Sequence, residues 1–143
     1  MEQTHNSLNP EKLQTRFEEI RNSLTEINTI LKHSDAEILE DKIILAALKY
    51  QIIIILEAMG SVCIHVCAKK LQKGVTEYAQ CFALLSEGNI IEEKLSVELT
   101  KMARFRNMVV HQYWKIEESK MIAYLRNNLY VVESFVESIS KLL

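Results

Sequence analysis

One proline and three glycines in 143 residues leave little material for tight turns. All-β folds place Gly and Pro at their many chain reversals, so this scarcity argues for long helices. Net charge is almost absent as well, at −2 from 17 basic and 19 acidic side chains. That excludes a global basic field, and any grip on a polyanion has to come from a local patch. Cysteine is limited to Cys63, Cys67 and Cys81. The opening MEQTHNSL has neither a basic n-region nor an apolar h-region and does not read as a signal peptide. With an odd cysteine count, this predicts reduced thiols in a cytoplasmic protein. Long uninterrupted apolar runs are missing too. The segment IILAALKYQIIIILEAMGSVCIHVCA, residues 43–68, is broken by Lys49, Gln51, Glu57 and His65. Its longest run is six residues, against roughly 18 for a membrane span. It reads as a buried helix of a soluble protein that makes no use of a membrane.

What is present is helical periodicity. Asn9-Pro10 is a helix start, with Asn as N-cap and Pro at the first position. Leu13, Phe17, Ile20, Leu24, Ile27 and Leu31 follow as one apolar stripe. His33-Ser34-Asp35 offers a break and a new N-cap at Ser34 or Asp35. The next helix should run to about residue 72 and occupy the centre, since its middle is apolar nearly all round. Its one polar edge is Glu57, Ser61, His65 and Lys69, which is either solvated or faces a cleft or partner. QKG at 72–74 stops it, Thr76 caps a short helix, and Gly88 sits where a C′ glycine belongs. A fourth helix begins near Ile91. A fifth runs from about Glu117 to the end, with Ile122, Leu125, Leu129, Val132, Val136 and Ile139 as its stripe. The fold class is all-α: a single-domain bundle over residues 1–143, of about four to five antiparallel helices with short connections.

Cys63-x-His65-x-Cys67 looks like a metal triplet, but on a helix His65 points roughly 200° away from Cys63. The thiols therefore read as packing groups, and no His/Cys or carboxylate set has metal-ligand spacing. The chain calls for no metal and no cofactor.

The segment with chemistry in it is RFRNMVVHQYWKI, residues 104–116. With Leu95 at 0° and 100° per residue, Leu99, Met102 and Val109 fall within roughly 40° of it as one stripe, and Arg106 at about 20° lies inside that stripe. An arginine there needs a paired carboxylate or a solvated cleft. Asn107, His111 and Arg104 fall at about 120°, 160° and 180°, a second and polar face. In one reading Arg106 is simply ion-paired and His111 is a surface histidine. In the other, Arg106 supplies a planar fork of donors to phosphate oxygens and His111 moves protons near neutral pH. Arg106 and His111 are roughly 140° apart on a straight helix, so a bend or a second subunit must bring them to one point. Lys101, Arg104 and Lys115 would make the surroundings basic. Tyr113, at 0° on the ideal helix, reads as a core group by position alone.

Arg106-Asn107-Met-Val-Val-His111-Gln-Tyr113 resembles the R-x4-H-x-Y signature of HEPN proteins, in particular the HepT-like toxins of HepT/MntA toxin–antitoxin systems. The likeness extends over TEYAQCFALLSEGNIIEEKLSVELTKMARFRNMVVHQYWKIE and the long apolar helix before it, about residues 35–140. One departure is Tyr50, with Lys49 beside it, where the family pattern suggests an arginine. The resemblance implies a HEPN-like bundle, a homodimer whose two motif helices line a cleft, and metal-independent endoribonuclease activity on RNA. It makes Arg106 and His111 the catalytic pair and Asn107 and Arg104 their support. The implied partner is an MntA-like minimal nucleotidyltransferase antitoxin that AMPylates Tyr113. The alternative is a non-catalytic helical subunit that only docks a nucleotidyltransferase. Purified protein incubated with RNA in EDTA separates the two.

Overall fold

The computed structural model of the chain describes residues 7–111 and 117–143. Among these residues there are seven helices and no strand: α1 (Pro10–Ile30), α2 (Asp35–Glu40), α3 (Lys42–Lys70), α4 (Tyr78–Glu87), α5 (Glu93–His111), α6 (Glu118–Asn128) and α7 (Tyr130–Ser140). The protein is all-α, as composition and periodicity imply. The count exceeds five because two of the expected helices are each broken once.

The first break is at Asp41. Its carboxylate accepts from the backbone N–H groups of Ile43 and Ile44 at 2.9 and 3.2 Å. Asp41 thus ends α2 and caps α3 with a single side chain. The second break is at Leu129. Val131 and Phe135 become buried in α7, while Val136 is only half-buried. The break therefore shifts the phase of the stripe, which a continuous helix could not do.

Other starts and stops follow local chemistry. Asn9 Oδ1 accepts from the N–H of Lys12 at 3.1 Å, with Pro10 opening α1. Ser34 and Glu37 form a reciprocal capping box at the start of α2. Thr76 does not cap α4; Glu77 stands at that position and makes no side-chain cap bond. At the end of α4, Asn89 rather than Gly88 takes the left-handed conformation, with φ 59°. Ile90 N donates to Leu85 O at 2.9 Å and Asn89 N to Ser86 O at 3.0 Å, the Schellman pairing. A Cβ at Gly88 would meet Leu71 Cδ2 at 2.6 Å, so the end of that side chain would have to shift.

The long helix α3 is the centre of the bundle, packed against α1, α2, α4 and α5. It is long and apolar enough by composition to cross a membrane, yet Leu48, Ile52, Met59, Val62 and Val66 are buried inside the protein. The α1 stripe Leu13, Phe17, Ile20, Leu24 and Ile27 is buried with them. Burial of this continuous apolar core is the main drive to the fold. On the other side α5 packs against α4, α3 and α7, which places the motif-bearing helix along the edge of the bundle.

Candidate active site

Arg106 lies on the inner side of α5, as its helical angle requires, and its side chain is 18% exposed. Its Nη2 pairs with Glu57 Oε1 of α3. Glu57 is 44% exposed, so the pair sits at the rim of the bundle rather than in its core. The other oxygen of Glu57 accepts a hydrogen bond from the Tyr78 hydroxyl at 2.7 Å. The Arg106 guanidinium carbon lies 5.6 Å from the centre of the Tyr78 ring, within cation–π range. Arg106 Nη1 donates to Asn107 Oδ1 at 3.1 Å. The remaining guanidinium nitrogen, Arg106 Nε, is buried without a hydrogen-bond partner among the described residues.

Gly60, one turn beyond Glu57 on α3, makes this arrangement possible. A Cβ at Gly60 would overlap the Tyr78 ring carbons, so only glycine lets the ring lie directly on the helix backbone. In the sequence neither Tyr78 nor Gly60 stands out, and Glu57 shows only as part of a polar edge. The signal that could have found Glu57 is the arginine itself, since a charge on an apolar stripe requires a carboxylate on the helix it packs against. The stretch separating α3 from α5 hid which carboxylate it was.

The polar edge of α3 is neither uniformly solvated nor uniformly facing a cleft. Glu57 faces Arg106, whereas His65 is buried at 8% exposure. His65 Nε2 accepts from the backbone N–H of Asn9 at 3.0 Å, fastening the start of α1. Burial, together with Lys12 and Lys69, holds His65 below the ordinary histidine pKa, consistent with a neutral acceptor.

Arg104, Arg106 and Asn107 line one open groove of about 520 Å³ together with Tyr78, Thr76 and Ile64. His111 is not among its lining residues and stands exposed in the last turn of α5. One chain therefore gathers the arginines and the asparagine but does not bring His111 to the same point, in keeping with the wide angle between them. Val97, Lys101, Arg104, Met108 and His111 recur at helical spacing and are all exposed. They form an outer stripe of α5 that mixes two apolar side chains with basic ones. Tyr113 and Lys115 lie outside the described residues. Tyr50 is exposed on α3, and Lys49 beside it pairs with Glu118 of α6 at 3.3 Å.

The three thiols are fully buried. The structure adds that all three sulfurs lie within 4.8 Å of one another. Cys81 comes from α4, and its convergence with Cys63 and Cys67 could not be seen in linear spacing.

A helical bundle carrying arginine, asparagine and histidine on one edge helix defines a class, and comparison with known proteins identifies it. Residues 20–139 match the family described as Ribonuclease HepT-like, and the chain belongs to that family. No curated protein matches the sequence. Solved structures share the fold at low identity. The tri-AMPylated Shewanella oneidensis HEPN toxin in complex with MNT antitoxin superposes with a TM-score of 0.84 at 19% identity, covering 91% of this chain and 97% of that one. A toxin–antitoxin structure with AMP-PNP gives 0.81 at 19% identity, covering 90% and 97%. The cytosolic protein of unknown function YutE from Bacillus subtilis gives 0.79 at 14% identity, covering 94% and 90%.

Proposed function

We propose that this chain is the toxin of a toxin–antitoxin pair and a metal-independent endoribonuclease acting as a homodimer. The observation that carries the reading is the state of Arg106. Glu57, Tyr78 and Asn107 fix its guanidinium at the edge of a groove. A preorganised arginine of this kind suits the phosphate of a nucleic acid, because its donors need not reorganise as charge builds. Arg104 adds a second positive charge to the same groove.

The chemistry is transesterification within the RNA strand. His111 takes the proton of the 2′-hydroxyl, that oxygen attacks the adjacent phosphorus, and the bond to the 5′-oxygen breaks. Arg106 stabilises the non-bridging oxygens, and His111 of the partner subunit returns a proton to the leaving oxygen. Two copies of α5 meeting along their exposed outer stripe would bring both histidines to one cleft, which the wide separation of Arg106 and His111 on one helix requires. Met108 and Val97 supply apolar contact for that pairing, while Lys101, Arg104 and His111 keep the cleft basic.

The proposed partner is a minimal nucleotidyltransferase that transfers AMP from ATP to the Tyr113 hydroxyl and releases pyrophosphate. The added phosphate and nucleotide would repel and displace RNA. The primary test is cleavage of total RNA by the purified protein in EDTA. Cleavage lost in His111→Ala supports the enzyme; no cleavage under any condition, with the protein still binding the nucleotidyltransferase, leaves only a docking subunit. Intact mass after co-expression tests the switch. Whole AMP units should appear on the wild type and be absent from Tyr113→Phe.

A further inference from the structure

We propose that Cys63, Cys67 and Cys81 form a three-thiolate site for a soft trivalent ion of the arsenite class. Nothing in the ribonuclease reading uses these residues, and the inference is independent of it. Cys63 and Cys67 are one turn apart on α3, and Cys81 faces them from α4. All three sulfurs are fully buried and lie within 4.8 Å of one another. Sulfur bonds of about 2.3 Å at the pyramidal angles of trivalent arsenic place three sulfurs roughly 3.5 Å apart. Binding would draw the sulfurs together from a spread of at most 4.8 Å.

Charge selects the ion. Thiolates prefer soft metals, but each metal leaves a different net charge in the core. Three thiolates around a monovalent ion carry −2 and around a divalent ion −1. Around a trivalent ion they are neutral. Burial and the other two thiols are what shift the ionisation of these three groups. Among the described residues no cation is paired with these thiols, and an uncompensated buried charge is costly. Among the described residues no fourth His, Cys or carboxylate joins the three sulfurs to complete a zinc site, and His65 is engaged by the Asn9 N–H.

The reaction balances without redox change. Arsenous acid, As(OH)3, is neutral and meets three protonated thiols. Three As–O bonds break and three As–S bonds form. Each thiol proton leaves with a hydroxide as water, so three waters are released and no net charge enters the protein.

Native mass spectrometry of the reduced full chain with arsenite tests the site. The expected product carries one arsenic and has lost three hydrogens, the signature of three As–S bonds. Cys81→Ala should yield at most a product that has lost two hydrogens and keeps one hydroxyl on arsenic. Because arsenite would bind the folded state, the wild-type melting temperature should rise with arsenite, and that of Cys81→Ala should rise less. Zinc offered in the same way should not survive desalting. A wild-type product with only two As–S bonds, arsenic uptake only in denaturant, or zinc retained as well as arsenic would each overturn the proposal. If Cys81→Ala does not fold, Cys63→Ala makes the same test from the other side of the site.

Discussion

The ring of Tyr78 occupies the space that a side chain at Gly60 would fill. From there its hydroxyl holds Glu57 and its face lies over Arg106. A glycine on one helix thus sets the position of an arginine on another, through an aromatic ring and a carboxylate. Gly60→Ala should force the ring outward. Overpacking of this kind costs about 1–3 kcal/mol, which a denaturant melt would read as a lower midpoint. RNA cleavage should fall further than stability does, because Arg106 loses its support. Unchanged cleavage in a folded Gly60→Ala protein would show that Tyr78 does not position Arg106.

Tyr78→Phe isolates the hydroxyl from the ring. The ring would still cover Arg106, while Glu57 would lose one hydrogen bond, worth about 0.5–1.5 kcal/mol. Cleavage should drop modestly in this variant and strongly in Glu57→Ala, where Arg106 keeps its charge but loses its carboxylate. Equal activity in all three proteins would assign Glu57 a purely structural part.

His111→Ala and Arg106→Ala should each reduce cleavage by about 10²–10⁴, the usual cost of losing a proton-transfer group or a transition-state donor. They should differ in stability. His111 is exposed at the helix end, so its loss should leave the melting temperature unchanged. Removing Arg106 deprives Glu57 of its cation and should lower it. Thermal scans beside rate measurements separate the two effects.

His65 gives the fold a dependence on pH. Its folded pKa lies below the ordinary value of 6.5, chiefly through burial. The unfolded chain therefore binds the proton more readily, and stability rises with pH in that window. The contribution is complete above about pH 6.5 and is lost as pH falls through the lower folded value. Melting temperatures measured between neutral and mildly acidic pH should fall in the wild type. His65→Gln can still accept from Asn9 but does not titrate, and should show a flatter profile.

Arg126 ties three segments together. Its Nε donates to Asp35 Oδ1 at 2.9 Å, Nη1 to Leu31 O at 2.7 Å and Nη2 to His33 O at 2.9 Å. The carbonyl groups left open just past the end of α1 are satisfied from α6. Arg126→Lys keeps the charge but cannot span the three acceptors. It should destabilise the protein by about 1–3 kcal/mol, measured by urea unfolding, with cleavage per folded molecule unchanged.

The sequence by itself determined most of the architecture, because helices are local. The α1 stripe, the Asn9-Pro10 start, the Ser34 cap and the all-round apolar α3 all express a 3.6-residue period and side-chain-to-backbone bonds a few residues long. It placed Arg106 inward and His111 outward for the same reason, and its motif pointed to the HepT-like family. Tertiary structure alone decided what lies across a helix–helix contact. The carboxylate that answers Arg106 is Glu57, the ring beneath it is Tyr78, and the acceptor role of His65 depends on the start of α1. The third thiol beside Cys63 and Cys67 is Cys81. None of these pairings has a sequence spacing, since packing joins side chains by distance in space, and the intervening chain carries no record of which faces will meet.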